Sequence, residues 1–269
     1  MIESASLVRK GRAVSLSQEL SDRMPQIWFH GPYFSYTYRD VDYSLRKFSE
    51  FKNELGSMVC RYELSDHTGT HVDGLNHASF RHEIYGGIDI REISAETGTT
   101  KLGIETMPPV FTRGLLLDFA RFFGVDMLDP GYEINVDEVL KLVREYGLTI
   151  KRGDGVFFHT GFGKLWAVDN EKYLGDAPGP GVEVAKWLGK SGASITGTDT
   201  SPYEVTNSED ASTLFPCHQI LIKGSGMHLV ENMRLQELSM DGVTEFLFAC
   251  APLKLKGGAG SPVSPIGIY

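Results

Sequence analysis

Four side chains that commonly bind divalent metal ions fall within eleven residues of this sequence. They are His67, His71, Asp73 and His77, in the stretch His-Thr-Gly-Thr-His-Val-Asp-Gly-Leu-Asn-His. Imidazole nitrogens and carboxylate oxygens are usual ligands of zinc and manganese in proteins. The intervening glycines and threonines argue against a long regular helix, and Gly69 permits a tight backbone path that turns both flanking histidines inward. The spacing therefore predicts that the four side chains meet at one metal site.

Two assignments of roles to the four residues of this cluster are open. Catalytic zinc sites characteristically use three protein ligands and leave a position for water, which His67, His71 and Asp73 would satisfy. His77 is then either a fourth ligand that closes a structural site or an unligated general base, because the pKa of an unperturbed imidazole lies near neutrality. We predict the base role for His77. Thr70 is predicted to support a ligand by hydrogen bonding.

An accidental cluster is the competing interpretation, because most histidines in proteins have no ligand role. The chain has 8 histidines, and four of them lie between residues 67 and 82. Chance would have to explain this concentration, so the metal site is the preferred interpretation.

The composition disfavours several other classes of function. The chain has 269 residues, 41% of them hydrophobic, which is typical of a globular protein with a sizeable core. Its net charge of -9 disfavours sequence-independent nucleic-acid binding, which needs a basic face. No apolar run reaches the ~20 residues of a membrane span, and no signal peptide is recognisable. Three cysteines without Cys-x-x-Cys spacing predict free thiols and a cytoplasmic protein.

Hydrophobic patterning predicts a mixed α/β fold in which strands alternate with two or three helices. Asn135 is a predicted N-cap with Glu138 three residues on, so the clearest helix is predicted over 135–147. No repeat or linker divides the chain, and residues 1–269 are predicted to form a single domain around one sheet or a pair of sheets. The other predicted helices span 4–10 and 180–192, and the predicted strands span 12–16, 57–64, 113–120, 155–160, 193–199, 242–253 and 262–269.

Aromatic side chains are concentrated, without clear periodicity, between residues 28 and 51. One interpretation is a loop anchored by its own rings, although the segment is long for an unstructured connection. The other is a pocket wall for a flat aromatic or conjugated substrate. On this second interpretation Trp28, Phe29 and Tyr33 are the predicted substrate-binding residues.

The stretch from residue 67 to residue 77 resembles the HxGTHxDxPxH signature of the cyclase family of metal-dependent hydrolases. Every fixed position matches except that Leu75 stands where the family has proline. The resemblance implies that His67, His71 and Asp73 bind the metal and that the last histidine is the catalytic base. These implied roles agree with those reached from the spacing.

A second stretch, residues 216–232, is similar to a downstream segment of the same family. The resemblance implies that His218 and Glu231 complete a two-metal site in which Asp73 bridges the ions. The competing interpretations are a core histidine and a surface glutamate.

Two further stretches are also similar to the family. Residues 159–166 resemble its Arg-Thr-Gly segment, with His159 in place of the arginine. Residues 197–202 contain Asp199 at a predicted strand end, where an orienting role is preferred over metal ligation.

The resemblance implies a swivelling β/β/α fold and a homodimer or homotetramer with one or two zinc or manganese ions per subunit. The expected reaction is hydrolysis of an amide or lactone bond, with ring opening of a small cyclic or aromatic substrate preferred. An arylformamidase acting on N-formylkynurenine is the alternative within the family. The rival from another class is a non-catalytic metal-binding protein. A serine hydrolase is less favoured because no Gly-x-Ser-x-Gly occurs.

Overall fold

The computed structural model of the chain describes residues 2–206 and 212–269. Its strands are β1 (Ala13–Ser15), β2 (Phe34–Arg39), β3 (Val59–Glu63), β4 (His71–Asp73), β5 (Glu83–Ile84), β6 (Ile88–Asp89), β7 (Ser94–Ala95), β8 (Gly98–Thr99), β9 (Val110–Asp118), β10 (Glu133–Ile134), β11 (Gly155–His159), β12 (Gly179–Pro180), β13 (Ile195–Thr198), β14 (His228–Glu231), β15 (Glu245–Cys250), β16 (Gly260–Pro262) and β17 (Ile266–Ile268). Its helices are α1 (Ile2–Ala5), α2 (Val41–Lys47), α3 (Ile90–Ile93), α4 (Phe119–Phe123), α5 (Val136–Glu145), α6 (Asn170–Tyr173), α7 (Val182–Ser191), α8 (Pro216–His218) and α9 (Gln236–Met240). The segment Gln219–Gly224 continues α8 as a π-helix, and 3-10 turns occur at Trp28–His30, Tyr85–Gly87, Ile104–Thr106 and Phe162–Leu165.

Nine strands form one mixed sheet in the order β1-β17-β15-β9-β11-β13-β14-β4-β16. The central strands β9, β11, β13 and β14 are parallel to their neighbours in that series, and the strands outside them join antiparallel. Every residue of β11 is buried, as expected of a continuous apolar run inside a parallel sheet. The mixed α/β fold predicted from the sequence is confirmed.

The sheet is strongly curled, because its two ends are joined by very little chain. Strands β16 and β17 are separated by residues 263–265, a connection that spans at most about 14 Å. In a flat sheet their seven-strand separation would be about 34 Å. The backbone also closes the gap directly, since the amide of Val263 donates to the carbonyl of Thr70 and Ser17 forms a β-bridge with Met233.

The curled sheet separates two apolar cores, and alternate residues of its strands supply them. Leu116 and Phe157 lie in the inner cluster, enclosed by the sheet. Their neighbours Leu117 and Phe158 lie in the outer cluster, which α5 and α7 cover with their apolar faces.

The two long helices agree with the sequence prediction. Helix α5 begins with a capping box in which the Asn135 side chain accepts from the amide of Glu138 and the Glu138 carboxylate accepts from the amide of Asn135. Helix α7 ends at Gly192, whose φ of 84° is the left-handed conformation that favours glycine. No helix in the described part of the chain is long and apolar enough to cross a membrane.

Three element boundaries differ from the prediction. The predicted helix over 4–10 is wrong, because α1 ends at Ala5 and the chain then turns. The predicted strand over 242–253 shortens to β15, since 241–244 form the turn that follows α9. The predicted strand over 262–269 is divided into β16 and β17, and Pro265, which has no amide to donate, lies between them.

Residues 34–63 form a separate unit that we call the arm. Strands β2 and β3 pair antiparallel as a two-stranded hairpin, with α2 in the connection. Every residue of β2 is exposed, as are all but one of β3. The part of the aromatic segment that lies in the arm, 34–51, therefore contains a strand and a helix and is not the loop anchored by its own rings considered from the sequence.

Candidate metal centre

Strand β4 places two predicted ligands on one face of the sheet. Val72 lies in the inner core, so His71 and Asp73 on either side of it face the opposite way. On the adjacent strand β14, Val230 pairs with Val72 and Glu231 pairs with His71. The strand alternation therefore brings one histidine and two carboxylates to the same surface.

His67, which precedes β4, and His218, which ends α8, complete a tight group. The Nε2 atoms of His67 and His71 lie 3.4 and 3.6 Å from Oδ1 of Asp73. The Nε2 atom of His218 lies 3.7 Å from Oδ2 of Asp73 and 3.1 Å from Oε1 of Glu231. Asp73 thus presents one oxygen to each half of the group, as the predicted bridging role requires.

The three histidines are held in one orientation by acceptors behind them. In each ring Nδ1 contacts an oxygen, which leaves Nε2 directed at the carboxylates. A carboxylate or carbonyl in this position also fixes the tautomer and raises the basicity of the nitrogen that faces a metal. The pairs are His67 with Oδ1 of Asp66 (2.8 Å), His71 with the carbonyl of Gly69 (2.8 Å), and His218 with Oε2 of Glu204 (2.5 Å).

Neighbouring histidines lower the pKa of two carboxylates of this region, Glu231 and Asp66, against the effect of burial. Burial alone would raise the pKa of Glu231, but the hydrogen bond and charge of His218 lower it well below its usual range. Burial likewise opposes ionisation of Asp66, and its hydrogen bond to His67 still lowers its pKa. Burial lowers the pKa of His218, yet Glu204 and Glu231 together raise it well above the usual value. The site is therefore a buried group in which carboxylates and imidazoles stabilise one another's charged forms.

The donor set fits a divalent metal. Nε2 of His67 and both carboxylate oxygens of Asp73 are buried without a hydrogen-bond partner in the described residues, a costly arrangement unless a cation binds them. Ligand atoms at 2.0–2.2 Å around a tetrahedral zinc lie about 3.3–3.6 Å apart, close to the separations between His67, His71 and Asp73. In the described part of the chain, two groups have ligand atoms within 4.8 Å of one another, His67 with Asp73 and His77, and Asp73 with His218 and Glu231.

His77 lies beside these ligands and completes the first of the two groups. Its ring centroid is 4.2 Å from that of His67. Burial, opposed by the charge of Asp73, lowers the pKa of His77 to about 4. The imidazole is therefore neutral at pH 7, the form that either a ligand or a proton acceptor needs.

Thr70 supports the site through the backbone. Its hydroxyl donates to the carbonyl of Asn232 and accepts from the amide of Gln18. The Asn232 side chain in turn donates to the carbonyl of Gly69, the acceptor of His71, and accepts from the hydroxyl of Tyr173. These bonds connect Gly69 and Thr70, which precede β4, to Asn232, which directly follows β14.

Asp199 lies away from the metal ligands. Its carboxylate accepts from the amide and hydroxyl of Thr160 and from the amide of Gly163. The ring of His159 lies between it and Asp118, 3.8 Å from Oδ2 of Asp199 and 2.7 Å from Oδ1 of Asp118. In place of the family arginine, the chain therefore has a buried histidine whose pKa burial lowers but the two neighbouring carboxylates raise above its usual value, and Asp199 orients a neighbouring turn rather than a ligand.

Leu75 and His228 lie in the stretches that resemble the family, and both contact the surrounding protein. Leu75, which replaces the signature proline, is partly buried and packs against the outer core. His228 lies two residues before Val230 on β14, so its side chain leaves the strand on the face opposite Glu231. Its Nδ1 lies 2.7 Å from the backbone carbonyl of Asp73.

A cavity of about 560 Å³ opens onto the ligand group. Trp28 and Phe29 line it and are largely exposed, at 88% and 56%. Tyr33 does not line it; that ring is buried in a separate cluster with Phe162 and Trp166. Of the three predicted substrate-binding residues, the structure brings two to the cavity.

Sequence reasoning missed three residues of this region. Asp66 directly precedes the first histidine of the signature, a proximity that could have been noticed. Glu204 has no such signal, because the fold alone brings it to His218. His30 lines the cavity, with its ring centroid 5.4 Å from that of His67, and only its position beside Trp28 and Phe29 could have indicated it.

Gly260, opposite Asp73 in β16, leaves room for His67. A Cβ atom added there would lie 2.8 Å from Nε2 of His67, closer than such atoms approach. We expect Gly260→Ala to weaken metal binding by about 10–100-fold, as displaced ligands do, measured by competition with a chromophoric chelator. Gly224→Ala is the control, since its Cβ would meet nothing closer than 3.5 Å; equal affinities in the two variants would contradict the packing argument.

The His159–Asp118 pair gives a pH-dependent contribution to stability. Burial lowers the pKa of His159, but the Asp118 hydrogen bond and the Asp199 charge outweigh it and raise the pKa above 6.5. The stabilisation is thus complete below about pH 6.5 and is lost as pH rises through the raised pKa. Burial raises the pKa of Asp118, but His159 outweighs it and lowers the pKa. The contribution of Asp118 to stability is therefore lost only in acid, as pH falls below its unfolded pKa of about 3.9.

We therefore expect His159→Gln to reduce the free energy of unfolding by about 3 kcal/mol near pH 6, and by progressively less at higher pH. Denaturant titrations between pH 5.5 and 9.5 measure the difference. His159→Arg, which keeps its charge throughout, serves as the matched variant. A difference between wild type and His159→Gln that does not change with pH would contradict a charged imidazole.

Known proteins match the chain in both sequence and fold. A family model described as putative cyclase matches residues 14–205. A rice (Oryza sativa subsp. japonica) protein named cyclase-like protein 3 is 25% identical over 205 residues, which cover 74% of this chain and 62% of that protein. The chain thus spans less than two thirds of the length of this curated relative.

Solved structures share the whole architecture at low sequence identity. A crystal structure described as a novel cyclase is 23% identical with a TM-score of 0.89, covering 100% of this chain and 90% of its own. Isatin hydrolase A from Ralstonia solanacearum is 20% identical with a TM-score of 0.72, covering 95% and 91%. A predicted metal-dependent hydrolase from Bacillus stearothermophilus is 18% identical with a TM-score of 0.61, covering 95% and 97%.

These structures establish the fold, and the family model covers the signature, the neighbouring strands and the Asp199 turn. The residues that match the family signature are those that converge on the buried carboxylates. The chain belongs to the putative cyclase family.

Proposed function

We propose that this chain is a metal-dependent hydrolase that cleaves an amide or lactone bond, preferably by opening a small cyclic or aromatic substrate. The observation that carries the proposal is a buried set of unpaired ligand atoms, on His67 and Asp73, at the floor of a cavity. The names of similar structures, isatin hydrolase and metal-dependent hydrolase, support it. A purely structural metal would not need an open cavity beside it.

Each residue of the site has a part in this proposal. A bound divalent metal supplies Lewis-acid chemistry, polarising a carbonyl and acidifying water. His77, neutral because burial lowers its pKa to about 4, accepts the proton of the attacking water and returns it to the departing nitrogen or oxygen. Trp28 and Phe29 pack against the apolar part of the substrate.

We propose two ions per subunit, zinc or manganese, with Asp73 between them. The first would be held by His67, His71 and Asp73, and the second by Asp73, His218 and Glu231. Oδ1 of Asp73 faces the Nε2 atoms of His67 and His71, and Oδ2 faces the Nε2 atom of His218. This arrangement supports two ions that share Asp73 rather than one ion. Glu231 is held in position by the hydroxyl of Ser201 and the amide of Tyr203.

Replacing His77 tests the proposed function. We expect His77→Ala to retain its metal, by elemental analysis, and to lose on the order of 10²–10⁴-fold in kcat, as removal of a general base does. Activity is measured on a panel of cyclic amides, lactones and N-formyl anilines, with His82→Ala as the control because His82 is exposed outside the cavity. The same elemental analysis gives the number of ions per wild-type subunit.

Three results would contradict parts of this proposal. Unchanged turnover in His77→Ala would exclude the base role. Full activity after exhaustive metal removal would exclude metal dependence. A metal-loaded protein that hydrolyses none of the panel would favour the non-catalytic metal-binding alternative.

We also propose that the chain works as a homodimer or homotetramer whose contacts include the arm. A two-stranded hairpin is only marginally stable alone in water, and contiguous exposed apolar surface marks an interface. The partner must be permanently available, which favours a second copy of the chain. The large exposed hydrophobic side chains of the arm are Phe34, Tyr36, Tyr38, Val41, Tyr43, Leu45, Phe48, Phe51, Leu55, Met58, Val59 and Tyr62.

Light scattering coupled to gel filtration tests this assembly. We expect a mass of two or four times the 29.8 kDa subunit. Met58→Glu in the arm should shift the protein to a smaller species, because it would bury a charge in the interface. Met240→Glu on α9, at a methionine that is 76% exposed against 63% for Met58, should not. A wild-type monomer at micromolar concentration would overturn the proposal.

A further inference from the structure

The cavity above the metal ligands has no permanently charged cation in the part of its wall that the structure describes. Among the described residues that line it, none is lysine or arginine. A carboxylate or phosphate on a substrate would therefore find no lysine or arginine partner among the described residues of the wall.

The polar side chains of the wall are already engaged within the protein. The hydroxyl of Ser201 donates to Glu231, and Nε2 of Gln219 donates to the carbonyl of Ser79. The side-chain oxygen of Gln26 accepts from the amide of Tyr33. The side chain of His30 contacts aromatic and imidazole rings among the described residues, so His30 is one polar group of the wall that can reach a ligand.

The floor of the cavity adds no excess positive charge. Asp73 and Glu231 face the ligand site, and Asp66 and Glu204 lie directly behind the histidines, which makes four carboxylates. Two divalent ions would balance these four formal charges, and one ion would leave two negative charges uncompensated. An anionic group entering the cavity would lose hydration without an attractive field to replace it.

From this charge distribution we infer that the site selects substrates without an anionic group, whose non-reacting part is apolar. The inference rests on the proposed hydrolase function and narrows it. The exposed rings of Trp28 and Phe29, with Leu174 and Phe215, supply apolar wall for such a substrate. The inference also distinguishes between the two kinds of substrate considered from the sequence, because N-formylkynurenine carries a carboxylate and a neutral cyclic amide or lactone does not.

A matched pair of substrates tests the inference on the metal-loaded enzyme. The pair shares whichever ring the enzyme opens and carries either an acetyl group or a carboxylate of similar size at one ring position. We expect kcat/KM to be on the order of 100-fold higher for the acetyl compound, since an unpaired charge is costly to desolvate. Equal values would overturn the inference while leaving the hydrolase function standing. Hydrolysis of neither would count against the proposed function itself.

Binding without turnover gives a second readout. Quenching of Trp28 fluorescence in the metal-loaded protein is titrated with 2-acetylnaphthalene and with 2-naphthoate, and Trp28→Phe identifies the contribution of the other two tryptophans. We expect the uncharged probe to bind at least 10-fold more tightly. Tighter binding of naphthoate would overturn the inference.

Adding a cation to the wall should relax the selectivity. Leu174 lines the cavity and is 41% exposed, so an arginine there can reach both solvent and a bound ligand. We expect Leu174→Arg to reduce the acetyl-to-carboxylate ratio at least 10-fold. Leu140→Arg is the control, at a leucine of equal exposure (40%) on α5 outside the cavity. Equal ratios in the two variants would show that the missing cation does not determine the preference.

Discussion

The buried carboxylate of Asp73 is the constraint on which the rest of the site depends. It is 1% exposed, and neither oxygen has a hydrogen-bond partner in the described residues. Such a group is unfavourable unless a cation compensates it. The surrounding imidazoles face it through Nε2, because their Nδ1 atoms contact oxygens on the far side of each ring. The protein therefore has a prearranged cation site rather than an ordinary ion pair.

The curled sheet explains how one site draws on distant parts of the chain. Strand β4 lies near one end of the strand order and pairs with β14 and β16, which come from the second half of the sequence. Glu231 reaches Asp73 through this pairing, and Gly260 leaves the space that the ring of His67 occupies. The inner core holds Val72 and Val230 on the reverse face, so packing on one side of the sheet fixes ligand positions on the other.

The arrangement of charge and apolar surface connects the site to its surroundings. Carboxylates are confined to the metal floor and to the positions behind the histidines, whereas aromatic side chains form the mouth of the cavity. The arm carries a further set of exposed apolar side chains, and none of its residues lines the cavity.

Local sequence determined the elements whose signals are local. The capping box of Asn135, the buried strands around Leu116 and Phe157, and the grouping of His67, His71 and Asp73 all follow from short-range spacing, because strand and helix periodicities decide which side chains share a face. Resemblance to a family pointed to His218 and Glu231. The tertiary structure alone decided that Glu204 holds His218, that His30 faces the cavity and that Tyr33 does not. Those contacts join residues far apart in the chain, and only closure of the sheet brings them together.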